Sequence, residues 1–111
     1  MGIHLRTYSP GTQEALALLG SQIRLARKQR KMTEADLAAR IGIARSTMQL
    51  IEKGSPKVEI GLAFEAANLA GVPLFDSEPA RLASHLSRIG DKLALLPQSV
   101  RRSKVEVKDD F

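Results

Sequence analysis

The sequence of 111 residues contains no cysteine and no tryptophan, and only 4% of it is aromatic. The absence of cysteine excludes disulfide bonds, thiol nucleophiles and cysteine-based zinc sites. The two histidines, His4 and His85, are too far apart in sequence to form a local ligand pair, so we expect no metal site and no cofactor. Few aromatics leave Leu, Ile, Ala and Val to build the core, and because helices bury that mixture readily, we expect an all-α protein.

Long hydrophobic runs are also missing. The longest apolar stretches, such as Ala15 to Leu19, are far shorter than the roughly 20 residues that a membrane span needs. The first residues, with His4 and Arg6, lack the apolar core of a signal peptide. We therefore predict a cytoplasmic, nucleoid-associated protein without a membrane partner.

Positive charge is in excess and is concentrated in one segment. The chain has 17 Lys and Arg against 12 Asp and Glu, which gives a formal charge of +5 and a pI of about 10.0. Residues 24–57 contain nine basic and three acidic residues, a local charge of +6, so the rest of the chain sums to −1. This distribution favours nucleic acid as the partner, because cations that neutralise phosphates release bound counterions.

Hydrophobic periodicity at three- and four-residue steps predicts five helices. A turn signal keeps residues 1–11 outside the first helix as an N-terminal arm, and Thr12 is predicted to cap that helix over 13–30. A fourth helix is predicted over 58–69, and Ser77 is predicted to cap the fifth.

The second and third predicted helices have the spacing of a helix-turn-helix. Thr33 can accept a backbone N–H at the start of the second helix, and Gly42 can adopt the left-handed conformation that ends it. The third helix is predicted from Arg45 to Lys53. A small residue, Ala38, lies where the two helices cross closely. Larger apolar side chains lock the helices together, namely Leu37, Met48 and Ile51.

The chain resembles the Xre/Cro family of bacterial and phage repressors over roughly Ala15 to Pro73. The resemblance rests on residues at that family's spacings: Arg27 before Met32-Thr33, Leu37-Ala38, Ile41-Gly42, Ser46-Thr47, Ile51-Glu52 and Gly54. It implies a five-helix, lambda-repressor-like domain that binds double-stranded DNA. Glu34 departs from the pattern, because the family often has Gln there in contact with a phosphate. A carboxylate would repel DNA unless it is turned away.

In such folds the third helix enters the major groove, so its exposed N-terminal face is predicted to contact base edges. The predicted base-reading residues are Ala44, Arg45, Ser46, Gln49 and Leu50. Arg45 can pair with guanine and Gln49 with adenine, and Leu50 or Ala44 can pack on a thymine methyl. Phosphate contacts are predicted for Lys31, Thr33, Arg40, Thr47, Lys53 and Lys57.

By the same resemblance, Arg27 and Glu52 form a partly buried structural ion pair that joins the first helix to the third. The alternative for Arg27 is a contact with DNA. Ser46 and Thr47 are not predicted to be nucleophiles, because no recognisable motif supplies a histidine or an aspartate beside them. We therefore predict that the protein is not an enzyme.

One such domain reads only a few base pairs, so we expect a homodimer on a palindromic operator. The dimer contact is predicted in the fifth helix or in residues 72–75, although the apolar stripe of the fifth helix can instead pack on its own four helices. The predicted divisions are an N-terminal arm, a helix-turn-helix domain, a C-terminal helix and a charged flexible tail: 1–11, 12–75, 76–97 and 98–111.

Segments outside the motif resemble the HipB-like antitoxins, small repressors encoded with HipA-like serine/threonine kinase toxins. The similar segments are Tyr8-Ser9-Pro10, residues 54–59, and the closing residues 95–97 through 109–111. The resemblance implies a repressor that binds its own promoter and neutralises a HipA-like kinase toxin. The tail is predicted either to fold on a partner, with Phe111 as the apolar anchor, or to be a solubilising extension. Two alternatives stay open: a free-standing phage-like or metabolic regulator, and a protein-interaction adaptor without DNA binding.

Overall fold

The computed structural model describes residues 6–100, and this part of the chain is all-α, as predicted. Its five α-helices are α1 (Pro10–Gln29), α2 (Glu34–Ile41), α3 (Arg45–Glu52), α4 (Ile60–Ala70) and α5 (Leu82–Ala94). A 3-10 turn over Pro79–Arg81 precedes α5, and no strand occurs among the described residues. The proposed tail anchor, Phe111, lies outside them, and its role stays a prediction.

The described residues divide into two compact units, the first ending at Pro79 and the second beginning at Ala80. In the first unit, α3 and α4 each pack against both α1 and α2. Small and aliphatic side chains form its core: Ile23, Leu37, Ala38, Met48, Ile51, Ala66, Ala67, Ala70 and Val72. Since α4 contributes three alanines to this core, its backbone can lie close to the helices that it contacts.

The first helix begins earlier than predicted, and the prediction of Thr12 as its cap was wrong. The N-cap residue is Ser9, and Pro10 occupies the first helical position. Proline is suited to this position because a backbone N–H in the first turn has no partner within the helix, so its absence costs no hydrogen bond. The fixed φ of proline is also helical. The Gln13 amide also donates to the Tyr8 carbonyl at 2.7 Å, which ties the preceding residues to the first turn. Pro10 is therefore the first residue of α1, and not part of a turn that precedes the helix.

The starts of α4 and α5 also differ from the predictions. Glu59 has a ψ of 135°, which is outside the helical region, so α4 begins at Ile60 and not at residue 58. Ser77 is not the cap of α5, because a 3-10 turn lies between them. The Asp76 carboxylate accepts the backbone N–H of Glu78 at 2.8 Å. This local turn satisfies a backbone donor outside any helix, and the helical conformation begins only afterwards.

Candidate nucleic-acid interface

The turn between α2 and α3 is made by Gly42. Its φ of +85° is left-handed, a conformation that glycine adopts without a steric penalty. The backbone N–H groups of Gly42 and Ile43 both donate to the Ala38 carbonyl, at 2.9 and 3.0 Å, and this closes α2. Ala44 then takes an extended conformation as the N-cap residue of α3. The chain reverses within three residues and fixes the start of α3 against α2.

A capping box fixes the start of α2. The Thr33 hydroxyl accepts the Asp36 backbone N–H at 3.0 Å, and the Asp36 carboxylate accepts the Thr33 backbone N–H at 2.9 Å. These hydrogen bonds hold the pKa of Asp36 below its ordinary value, and the one from the Thr33 backbone N–H has the largest effect. Thr33, a predicted phosphate contact, is exposed at this helix start.

Helix α3 has a buried face and an exposed one. Met48, Ile51 and Glu52 are buried and hold the helix to the core. The predicted base-reading residues lie on the remaining surface: Ala44, Arg45, Ser46 and Leu50 are exposed, and Gln49 is half-buried. The structure therefore brings these five residues together along one short helix and its N-cap. Leu50 is 44% exposed, an apolar side chain available to a partner.

The Glu34 carboxylate is turned towards α3. Its Oε1 atom lies 3.5 Å from Nε of Arg45 and 3.4 Å from the amide nitrogen of Gln49. Partial burial raises the pKa of Glu34, but hydrogen bonds from Gln49 and Arg45 and the charges of Arg27 and Arg45 outweigh burial and lower it. Sequence reasoning missed this contact. The available signal was an acidic residue and a basic residue at the first positions of consecutive helices.

The predicted phosphate contacts come from several elements of the first unit. Lys31 lies in the turn between α1 and α2, Arg40 in the last turn of α2, and Lys53 directly after α3. Lys57 follows in the loop before α4. These four cations are exposed, whereas Thr47 within α3 is half-buried.

A polar cleft of about 220 Å³ lies between α1, α2 and α3. Its walls are formed by Arg24, Glu34, Gln49, Glu52 and Lys53. Arg24 was not among the predicted contacts, although it is exposed and shares the cleft with Gln49 and Lys53. Its position one helical turn before Arg27 was the signal that could have placed it near α3.

Arg27 and Glu52 form a two-point ion pair between α1 and α3. The Arg27 Nε and Nη2 atoms donate to the two carboxylate oxygens of Glu52 at 2.6 and 2.9 Å, and Nη1 donates to the Met32 carbonyl at 2.9 Å. The hydrogen bond to Glu52 raises the pKa of Arg27, although burial opposes it. Both residues are buried, with 6% and 8% of their surfaces exposed, so the Arg27 guanidinium is enclosed by protein in this structure.

Residues 23–76, from within α1 to beyond α4, match the protein-family model described as Helix-turn-helix. The matched segment has the fold of a helix-turn-helix domain. The match supports a DNA-binding regulator, and family members of this kind are generally not enzymes. Comparisons with curated proteins and with solved structures found no match.

None of the helices in residues 6–100 combines the length and the apolar character that a membrane span requires. The same residues contain no group of three or more His, Cys, Asp or Glu side chains arranged to hold a metal ion.

Proposed function

We propose that this protein is a sequence-specific transcriptional repressor that reads the major groove with α3. The observation behind the proposal is the exposed face of α3, which presents Arg45, Ser46, Gln49 and Leu50 from a helix fixed by its buried face. The helix lies within a segment whose local charge is +6. Rigid presentation of polar groups beside positive charge is what recognition of a DNA duplex requires.

Each exposed side chain of α3 suits a different contact. The Arg45 guanidinium can donate two hydrogen bonds to guanine, and the Gln49 amide can both donate to and accept from adenine. Leu50 can pack on a thymine methyl. The exposed cations Lys31, Arg40, Lys53 and Lys57 can reach phosphates on either side of the groove. Base contacts would then give specificity, and phosphate contacts would give most of the affinity.

We propose further that the protein binds as a homodimer through α5. Four apolar side chains recur on this helix at three- and four-residue steps: Leu82, Leu86, Ile89 and Leu93. They are between 37% and 75% exposed, and α5 has no buried residue. A helix with such an uncovered stripe is stabilised by packing on a second apolar surface. In residues 72–75, Val72 is buried in the core and Leu74 packs against that core, but Phe75 is 87% exposed, so this segment stays the second candidate for the dimer contact.

The repressor is proposed to be a HipB-like antitoxin that regulates its own operon and neutralises a HipA-like serine/threonine kinase. Support comes from the resemblance of the segments around the domain, including Tyr8-Ser9-Pro10 and residues 54–59. A pull-down from the native host, at low and high salt, tests this part. Recovery of a kinase together with a promoter fragment is expected. Recovery of DNA alone would indicate a free-standing regulator, and recovery of protein alone would indicate an adaptor.

Selection from a pool of randomised DNA duplexes tests the core of the proposal. The full chain is expected to enrich an inverted repeat whose half-sites are about one helical turn apart. Arg45→Ala is expected to lower affinity for the enriched site by roughly 10-fold to 100-fold. The matched control is Arg81→Ala, which removes an exposed arginine from the second unit. Enrichment of no sequence by the unmodified chain would contradict sequence-specific binding.

A further inference from the structure

Glu34 is the one carboxylate that contacts proposed base-reading side chains within the described chain. It is the first residue of α2, and its Oε1 atom lies within 3.5 Å of both Arg45 and Gln49, from the first and second turns of α3. Its side chain is 22% exposed and that of Arg45 is 66% exposed. The contact therefore joins a half-buried carboxylate to the exposed Arg45 and the half-buried Gln49, on the face of α3 that is proposed to meet DNA.

The chemistry of these contacts fixes how each side chain is presented. An ionised carboxylate only accepts hydrogen bonds, so the nitrogen of the Gln49 amide must face Glu34 and the amide cannot be reversed. The second N–H of that nitrogen can then donate to adenine N7, and the amide oxygen can accept from the N6 amino group of adenine. Arg45 faces Glu34 with Nε, which leaves its terminal nitrogens for guanine O6 and N7.

We propose that Glu34 is a specificity-determining positioning residue, whose carboxylate orients Arg45 and Gln49 for their bases and penalises binding to other sequences. This inference rests on the proposed function of α3. Without Glu34, the two long side chains would sample many rotamers, and each would have to be ordered when DNA binds. The negative charge also repels nearby phosphates, so contacts that do not engage the correct bases are weakened.

The ionisation of Glu34 supports the proposal. Its pKa is lowered, so the carboxylate is charged throughout the neutral range and the contact with the two donors persists there. In the free protein, the side-chain amide resonance of Gln49 should therefore follow the protonation of Glu34 at a pH below the ordinary range for glutamate. In Glu34→Gln this titration should be lost.

Two substitutions of Glu34 separate positioning from charge. Glu34→Gln keeps the size but removes the charge. Glu34→Asp keeps the charge but shortens the reach. On the selected operator, both variants should reduce the preference for the best base over the next best by about fivefold or more, at the base pairs read by Arg45 and Gln49. Only Glu34→Gln should raise affinity for random duplex, by about threefold. Glu65→Gln, at an exposed position of α4, is the matched control and should change neither.

A double-variant cycle excludes a merely structural effect. When Gln49 is already alanine, Glu34→Gln should cause no further loss of preference at the base pair that Gln49 reads. Thermal unfolding of the variants should match that of the control. If Glu34→Gln and Glu34→Asp kept the base preferences of the unmodified chain, this inference would be overturned and the proposed function would stand. Failure of the unmodified chain to select any sequence would overturn the proposed function and this inference together.

Discussion

The Arg27–Glu52 pair is the clearest case in which single residues join two helices of the domain. Its hydrogen bonds of 2.6 and 2.9 Å are buried between α1 and α3, and the guanidinium is also bonded to the Met32 carbonyl. Removal of one partner leaves a buried charge without compensation. The pair therefore fixes α3 to α1 through side chains that are enclosed by protein.

We predict that Arg27→Met and Glu52→Leu each lower the free energy of unfolding by about 3–5 kcal/mol. The double variant should lose much less than the sum, because it leaves no unpaired charge. Urea unfolding of the four proteins measures this coupling. Arg24→Met, an exposed change on the same helix, is the control and should have little effect. Strictly additive losses would show that the two residues stabilise the domain independently.

The capping box of α2 predicts a pH effect at Asp36. Its pKa is lowered from 3.8 by hydrogen bonds from Thr33, so the ionised form is favoured in the folded state. The resulting stabilisation of the folded state is fully present above the pKa of Asp36 in the unfolded chain. It is lost as the pH falls through the lower pKa of Asp36 in the folded protein. Urea unfolding between about pH 5 and pH 2 should therefore show a steeper decline for the unmodified chain than for Asp36→Asn. Parallel declines would contradict the assignment.

At the scale of elements, Gly20 determines how closely α1 and α3 approach. A Cβ atom at this position would lie 2.6 Å from the backbone carbonyl oxygens of Ile51 and Glu52, far inside van der Waals contact. The backbone of α3 would have to move to accommodate it. Gly20 therefore allows the close contact across which the Arg27–Glu52 pair forms.

Gly20→Ala is predicted to destabilise the domain by about 1–3 kcal/mol, in spite of the better helix propensity of alanine. Gly11→Ala, where a Cβ would meet no atom within 4 Å, is the matched control in the same helix. Thermal unfolding compares the two variants. A more stable Gly20→Ala variant would mean that α1 and α3 are free to separate.

Most elements could be predicted from the sequence because their signals are local. The Thr33 cap, the Gly42 turn and the apolar spacing of α2 and α3 act over a few residues, and the structure has these helices close to the predicted bounds. Helix starts at α1 and α5 were missed, because Pro10 and Asp76 each permit more than one local conformation. The contacts of Glu34 depend on how closely α2 and α3 pack in the folded protein, and the spacing of residues in the sequence does not predict that distance.

At the scale of the whole molecule, the proposed homodimer would place two copies of α3 on one operator. The stripe of α5 is the proposed dimer contact. Leu86→Ser combined with Leu93→Ser is predicted to convert a dimer to a monomer at micromolar concentration in analytical ultracentrifugation, with weaker binding to an inverted repeat. Leu25→Ser, at an exposed leucine of α1, is the control. An unchanged dimer in the double variant would assign the dimer contact elsewhere.

The most direct test of the account is the dependence of DNA affinity on salt. The Kd of the full chain for its selected duplex should rise steeply as salt is added, with a logarithmic slope of roughly 0.9 for each phosphate contacted. Lys53→Ala should reduce that slope by about one, because it removes one phosphate contact. A Kd that stays the same from low to high salt would contradict the account and indicate a helix-turn-helix used for protein contacts.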